Sequence, residues 1–151
     1  MYKISVPLIA QSKSDTCWHA SSMMIWRYWQ HKTGKSGPMN TLSPKWTSNQ
    51  PITPTDFVNL ARKVGLKALP TKPFFTSGEL EKLLKDHGPI WCAGFWFGVG
   101  HIIVLTGVDD QIVLFNDPDG GKPKMGKLNW FNQKIDSHLA GAMMYKDPEA
   151  Y

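Results

Sequence analysis

The chain of 151 residues is 42% hydrophobic and 19% charged, a length and composition that predict a single domain over residues 1–151 with a sizeable core. Lys and Arg number 17 against 12 Asp and Glu, giving a net charge of +5, but no basic stripe interleaved with aromatic residues emerges, so nucleic acid is not an expected partner. No window approaches about 18 consecutive apolar residues, so no membrane-spanning helix is expected either.

The N-terminal segment predicts a short strand and then a helix that starts close to a cysteine. Tyr2–Ile9 is β-like, and because its apolar run is interrupted by a proline and lacks a cleavage site, we expect no signal peptide. The polar run Gln11–Asp15 follows, and any of Ser14–Thr16 is suited to cap the next helix. Cys17 therefore falls in the first helical turn, where unpaired backbone N–H groups and the helix dipole favour a thiolate.

Two more helices and four strands are predicted after this one. His31–Pro54 is rich in Gly, Pro, Ser, Thr and Asn, which indicates a long surface excursion. One helix begins at Thr53-Pro54 and ends at Gly65, and another runs from Ser77 to His87. The apolar pattern then predicts strands over Pro89–Phe97, His101–Val108, Gln111–Asn116 and Leu139–Lys146. Helices followed by antiparallel strands indicate an α+β fold.

The order of three reactive residue types indicates nucleophilic catalysis. His101 begins one predicted strand, Asp117 follows the next, and a tight turn at Asp109-Asp110 joins them. Because adjacent antiparallel strands put the start of one beside the end of the other, His101 and Asp117 are expected to lie close together. If the helical half packs beside the strands, Cys17 meets them across a cleft, and these are the parts of a cysteine hydrolase. Gln11, six residues before Cys17, is placed to donate to a developing oxyanion.

Each of these residues has competitors. Asn116 is the alternative to Asp117, since neighbours in a strand do not both face His101. A disulfide between Cys17 and Cys92 is another use of the two cysteines, although Cys92 lies in an apolar strand and is expected to be a buried thiol. The other histidines suit the role of base less well, because they lie at polar helix ends, in a loop, or on the wrong side of the first helix: His19, His31, His87 and His138.

Together these residues resemble the papain-like cysteine peptidases, and in particular the small bacterial branch that includes bacteriocin-processing double-glycine peptidases. The matching motifs are Gln11, Asp15-Thr16-Cys17, Gly100-His101 and Asp117-Pro118. The resemblance implies a papain-like fold in which an N-terminal helical half carries Cys17 and packs against a C-terminal antiparallel sheet carrying the His and Asp. Two departures are Trp18, where that branch usually has Gly, and the lack of a transporter segment.

The same resemblance implies a role for each residue. Cys17 is the nucleophile, His101 the general base and acid, Asp117 the residue that orients His101, and Gln11 part of the oxyanion hole. The expected activity is that of a cysteine protease which hydrolyses peptide bonds in a protein substrate, with cleavage after glycine. No metal or organic cofactor is required for this chemistry.

Free-standing bacterial domains of this size resemble secreted effectors and interbacterial toxins. For this chain the resemblance therefore implies synthesis in the cytoplasm, delivery by a specialised secretion system into the cytoplasm of a target cell, and a cognate immunity protein that blocks the cleft. Two alternatives stay open. One is the same triad in a peptidoglycan amidase or a transglutaminase-like acyl transferase, and the other is a non-catalytic binding module with a basic, Trp-rich surface.

Overall fold

The computed structural model describes residues 1–12, 16–35 and 53–151, and within these ranges it consists of four helices and seven strands. In chain order they are β1 (Tyr2–Lys3), α1 (Cys17–Thr33), α2 (Pro54–Lys63), β2 (Leu66–Ala68), α3 (Ser77–His87), β3 (Ile90–Gly94), β4 (His101–Asp109), β5 (Ile112–Asp117), β6 (Lys122–Lys127), α4 (Leu128–Lys134) and β7 (Met143–Lys146). The predicted α+β class is confirmed. The cap candidates Ser14 and Asp15, and residues 36–52 of the predicted surface excursion, lie outside the described ranges.

The described strands form one antiparallel sheet with β4 at its centre. Six of them follow the order β2-β7-β3-β4-β5-β6. The short β1 pairs with Gly107 and Val108, beyond the part of β4 that pairs with β3. The pairing of β4 with β5 contains a bulge between Leu105 and Gly107. His101, the first residue of β4, lies opposite Gly94, the last residue of β3.

Helices cover both faces of the sheet, and the strand pleat divides the apolar side chains between them. On one face Trp91, Ile102 and Val104 belong to a core shared with α1 and α2. On the other face Cys92 and Ile103 belong to a core shared with α3 and α4. Successive strand residues point to opposite faces, so a strand buried on both sides is a continuous apolar run. The third helix thus lies on the face opposite the first, instead of joining it in one helical half.

The start of α2 matches its predicted capping signal, and α3 begins with the same motif although no cap was predicted for it. The Thr53 hydroxyl accepts the N–H of Asp56 at 3.2 Å, and the Asp56 carboxylate accepts the N–H of Thr53 at 3.0 Å, which is a capping box. Thr76 and Glu79 form the same pair of hydrogen bonds at α3. No helix in the described ranges is both long enough and apolar enough to cross a membrane.

Three elements were missed in the sequence: β2, β6 and α4. The residues of β6 are exposed or half-exposed, mostly polar and include Pro123, so they show no apolar alternation, as is typical of an edge strand. The other two are only three and seven residues long, too short for a clear period. Three predicted strands are shorter in the structure: Tyr2–Ile9, Pro89–Phe97 and Leu139–Lys146. A turn with positive φ at Gly98 follows the second of these segments, and another at Gly141 precedes the strand observed in the third.

Gly94→Ala is expected to destabilise the end of the sheet that carries His101. A Cβ added there would lie 2.5 Å from the carbonyl oxygen of Lys134 and 2.7 Å from the ring of Trp96, so a buried segment has to shift. We expect the free energy of unfolding, measured by urea denaturation, to fall by about 1–3 kcal/mol. The matched control is Gly100→Ala, whose Cβ meets no described atom within 4 Å. Equal destabilisation by both substitutions would contradict the packing described here.

Candidate active site

His101 and Asp117 meet at one end of the sheet, as the predicted hairpin requires. His101 is the first residue of β4 and Asp117 the last residue of β5. Nε2 of His101 lies 2.7 Å from Oδ1 of Asp117, and the two side chains are 10% and 1% exposed. The pair is therefore a short hydrogen bond almost completely withdrawn from water.

The carboxylate of Asp117 has a hydrogen-bond donor at each oxygen. Oδ1 also accepts the backbone N–H of Asp119 at 2.9 Å, and Oδ2 accepts Nζ of Lys124 at 2.7 Å. Burial alone would raise the pKa of Asp117, but the hydrogen bonds from His101, Lys124 and the Asp119 N–H lower it. Asp117 is thus an ionised carboxylate held against the imidazole of His101.

Cys17 reaches the same imidazole from α1. It is the first residue of that helix, and its side chain is buried in the core that includes Ile102. The Cys17 thiol lies close enough to the imidazole to raise the pKa of His101. Because Asp117 occupies Nε2, Nδ1 is the ring nitrogen left for the thiol. Cys17, His101 and Asp117 therefore form one continuous chain of contacts.

The neighbours of His101 determine its protonation. Burial alone would lower the pKa of His101, but the hydrogen bonds with Asp117 and Cys17, together with the charges of these two groups, raise it to about 9. An imidazolium between a carboxylate and a thiol is the arrangement of a nucleophile with its acid–base partner.

The N-terminal segment brings Gln11 to the same end of the sheet. The backbone N–H of Gln11 donates to the carbonyl of Pro118 at 2.7 Å, and the residue is half-buried. Asn116, the alternative third member, donates through Nδ2 to the carbonyl of Val6 at 3.1 Å. Asn116 thus connects the N-terminal segment to the sheet. The residue that contacts the His101 imidazole is Asp117, the neighbour of Asn116 in the chain.

The remaining cysteine and histidines lie outside this chain of contacts. Cys92 is fully buried, which raises the pKa of its thiol, and both cysteines are free, so the disulfide alternative is wrong. The ring of His19 packs edge-on against Trp18 at 5.4 Å, and burial lowers its pKa. Two histidines are exposed and one contacts Tyr145: His31, His138 and His87 respectively. Among the described residues no three His, Cys, Asp or Glu side chains are grouped to hold a metal ion.

Two residues beside the pair were not singled out in the sequence. The ring of Phe97 lies 6.0 Å from that of His101, and Nζ of Lys124 lies 4.6 Å from the Phe97 ring centroid. Lys124 belongs to the unpredicted strand β6, and Phe97 lies past the end of β3, so neither position follows from an apolar period.

A small crevice and a larger groove open near the site. The crevice has a volume of about 10 Å³ and is lined by His101, by small residues such as Gly94 and Gly100, and by larger apolar side chains that include Phe57 and Phe95, but not by Cys17. The groove has a volume of about 950 Å³ and lies between the N-terminal segment and β6. Its walls are mainly apolar, and the charged side chains among its described lining residues are Lys3, Lys124 and Lys127. Cys17 and His101 do not line it.

The chain is similar to proteases of known family and structure. The family model described as papain-like cysteine protease AvrRpt2 matches residues 1–136. A double glycine motif protease from an AMS/PCAT transporter, solved with the leader peptide, has a TM-score of 0.61 and 22% identity, covering 95% of this chain and 91% of that one. The peptidase domain of Streptococcus ComA, a bi-functional ABC transporter involved in a quorum sensing pathway, has a TM-score of 0.61 and 18% identity, covering 98% and 99% of the two chains. The same domain from Streptococcus mutans, in complex with a small molecule inhibitor, has a TM-score of 0.53 and 16% identity over 93% and 98%. The predicted papain-like fold is confirmed.

Asp117→Asn is expected to lower the pKa of His101 from about 9 towards its ordinary value of 6.5, because the substitution removes a negative charge from the imidazole. The titration can be followed through the Cε1–H resonance of His101 in NMR spectra, assigned with a His101→Gln variant. Asn116→Ala, one residue away and bonded to Val6, is the matched control and should leave the titration near that of the wild type. A wild-type titration at the ordinary value would contradict this environment.

The same shift predicts the pH dependence of stability. Since the pKa of His101 is higher in the folded chain than in the unfolded one, its protonated form stabilises the fold fully below about pH 6.5. This contribution is lost as the pH rises through about 9. The difference in the free energy of unfolding between wild type and His101→Gln should shrink across that interval.

Proposed function

The chain belongs to the family of papain-like cysteine proteases, and we propose that Cys17, His101 and Asp117 are its catalytic triad. The observation that carries this proposal is the buried hydrogen bond of 2.7 Å between His101 and Asp117, with the Cys17 thiol close enough to the same imidazole to raise its pKa. Nucleophilic catalysis requires a nucleophile beside a base, and a carboxylate that is hydrogen-bonded to that base and keeps it oriented. The arrangement of these three residues meets this requirement.

In the proposed mechanism each group has one role. The Cys17 thiolate, paired with protonated His101, bonds through its sulfur to the carbonyl carbon of the scissile peptide bond, and the C=O π electrons move to the oxygen. The backbone N–H of Cys17 and the side-chain amide of Gln11 donate to the oxyanion that forms. His101 then protonates the leaving amine as the C–N bond breaks, and Asp117 keeps the imidazole in position. A water deprotonated by His101 then attacks the thioester carbonyl, the C–S bond breaks, and the pair of Cys17 thiolate and protonated His101 is restored.

We propose that the substrate is a protein cut after glycine. The similar double glycine motif protease, solved with the leader peptide, supports a peptide substrate. The crevice beside His101 supports a small residue at the cleaved bond, because its volume of about 10 Å³ is no more than one water molecule needs.

We also propose that the protein acts as an effector or interbacterial toxin. In this role a specialised secretion system delivers it into the cytoplasm of a target cell, and an immunity protein protects the producing cell by covering the cleft. The resemblance to free-standing effector and toxin domains supports this role. The net charge of +5 supports an acidic surface on the immunity protein.

Cys17→Ala is expected to abolish proteolysis, since it removes the nucleophile. A proteome-derived peptide mixture is incubated with wild type or variant, and new N-termini are identified by mass spectrometry. The wild type should generate termini that follow glycine, and Cys17→Ala should generate none above background. Cys92→Ala, which changes the other buried cysteine, is the matched control and should cut the same bonds.

Two further results complete this test. Gln11→Ala should cut the same bonds about 100-fold more slowly, as expected for loss of one oxyanion donor. Cleavage that survives Cys17→Ala would contradict the triad. Cell-wall fragments or cross-linked amides that depend on Cys17, without new peptide termini, would favour the amidase or acyl transferase alternative.

For the toxin role, we expect that wild-type protein produced in the cytoplasm of a susceptible bacterium stops growth, because unregulated proteolysis damages the cell. Cys17→Ala, produced at a level matched by immunoblot, should not. Equal growth of both cultures, with wild-type protein shown to be folded and active after purification, would contradict this role.

A further inference from the structure

A lysine on the edge strand closes the chain of contacts at the end opposite Cys17. Nζ of Lys124 lies 2.7 Å from Oδ2 of Asp117, whereas His101 bonds to Oδ1. The carboxylate is only 1% exposed, so this is not one of the solvated ion pairs that contribute little to protein energetics. One oxygen of this buried carboxylate thus pairs with a histidine, and the other pairs with a lysine.

Lys124 is itself held in position on a second side. Its Nζ lies 4.6 Å from the centroid of the Phe97 ring, within the range of a cation–π contact. The Phe97 ring in turn lies 6.0 Å from the ring of His101. The contacts therefore form a closed ring of four side chains: Lys124, Phe97, His101 and Asp117. Although the Lys124 side chain is 38% exposed, its amino group is held by two of these neighbours.

We propose that Lys124 is a positioning residue of the triad. It fixes Oδ2 of Asp117 and partly neutralises the negative charge of this carboxylate, so that the attraction of the carboxylate for a proton on His101 is weaker. This role rests on the proposed function, because it acts only through Asp117 and His101. Lys124 touches no reacting atom in this proposal.

The electrostatic consequence depends on all the charged groups around the imidazole. Among the described residues these include Cys17 from α1, Asp117 from β5 and Asp136, which lines the small crevice with His101. Two lysines of β6 lie at Asp117: Lys122 is opposite it in the strand pairing, and Lys124 is bonded to its carboxylate. Without Lys124 the full carboxylate charge acts on His101, so the imidazolium should lose its proton at a higher pH and be a weaker acid towards the leaving amine.

A purely structural role makes the opposite prediction. If Lys124 did no more than hold β6 against β5, its loss would loosen Asp117 and weaken the contact with His101. The imidazolium would then lose its proton at a lower pH. The direction of the shift therefore separates the two roles.

The test uses three substitutions of Lys124 and one matched control in the full chain. Lys124→Met keeps the length and the apolar stem, Lys124→Gln keeps a neutral donor for Oδ2, and Lys124→Arg keeps the charge. Lys127→Met is the control, since Lys127 lies on the same strand but opposite Ile112, at the end away from Asp117. Each protein is titrated by NMR at His101, and the alkylation rate of Cys17 with iodoacetamide is measured against pH by peptide mass spectrometry.

We expect Lys124→Met and Lys124→Gln to raise the pH at which His101 loses its proton by about one unit, and the upper transition of the alkylation profile should rise with it. Lys124→Arg and Lys127→Met should match the wild type. Iodoacetamide is too small to depend on the groove that Lys124 borders, so an effect on peptide binding does not enter this readout. An unchanged or lowered transition in both neutral variants, or a shift in Lys124→Arg equal to theirs, would overturn the proposal.

Asp117→Asn in the same series keeps the two proposals distinguishable. If its His101 titration falls towards the ordinary value while that of the neutral Lys124 variants is unchanged, the triad stands and the role of Lys124 fails. If Asp117→Asn leaves both the titration and the alkylation profile as in the wild type, the triad itself fails, and with it the basis for Lys124.

Discussion

The buried carboxylate of Asp117 is the constraint on which this end of the molecule depends. A carboxylate withdrawn from water is unfavourable unless its oxygens are paired, and its donors here come from β4, from the turn after β5 and from β6. Removal of one partner from a buried pair of this kind costs about 3–5 kcal/mol, so the segments that supply the donors cannot shift independently. The hydrogen bonds to Asp117 therefore have two effects. They orient the His101 imidazole, and they hold this end of the sheet together.

The position of Cys17 depends on a different set of contacts, which tie the first turn of α1 to the sheet. Trp18 is fully buried, and its carbonyl accepts both the Trp91 indole N–H of β3 at 3.2 Å and the Ser22 hydroxyl at 2.6 Å. Because β3 pairs with β4 up to His101, Trp18, the residue after Cys17, is linked through one strand to the histidine. Trp18, where the double-glycine branch usually has Gly, is thus part of the core that fixes the distance between Cys17 and His101.

The sequence was informative where local chemistry determines local structure. The helix start at Thr53-Pro54, the helix that begins at Cys17 and the hairpin between His101 and Asp117 all follow from residue types at fixed spacing. The polar edge strand β6 has no such pattern, because an edge strand needs neither an apolar face nor an alternating period. Lys124 could therefore not be distinguished from its neighbouring lysines, since its partner is set by sheet order and not by spacing.

The choice between Asn116 and Asp117 shows most directly what a sequence leaves undetermined. The hairpin closes with Asp109 opposite Ile112, and regular pairing from that turn would place Leu105 opposite Asn116. Asn116 would then share a face with His101. The bulge between Leu105 and Gly107 shifts the register by one residue, so that Leu105 lies opposite Phe115. As a result Asp117, and not Asn116, lies on the same face of the sheet as His101. The N–H of Ile4 binds the Thr106 carbonyl within this bulge, and a Cβ at Gly107 would lie 2.7 Å from the carbonyl oxygen of Tyr2. The N-terminal segment that carries Gln11 to the site is thus also packed against the irregularity that puts a carboxylate, and not an amide, beside the imidazole.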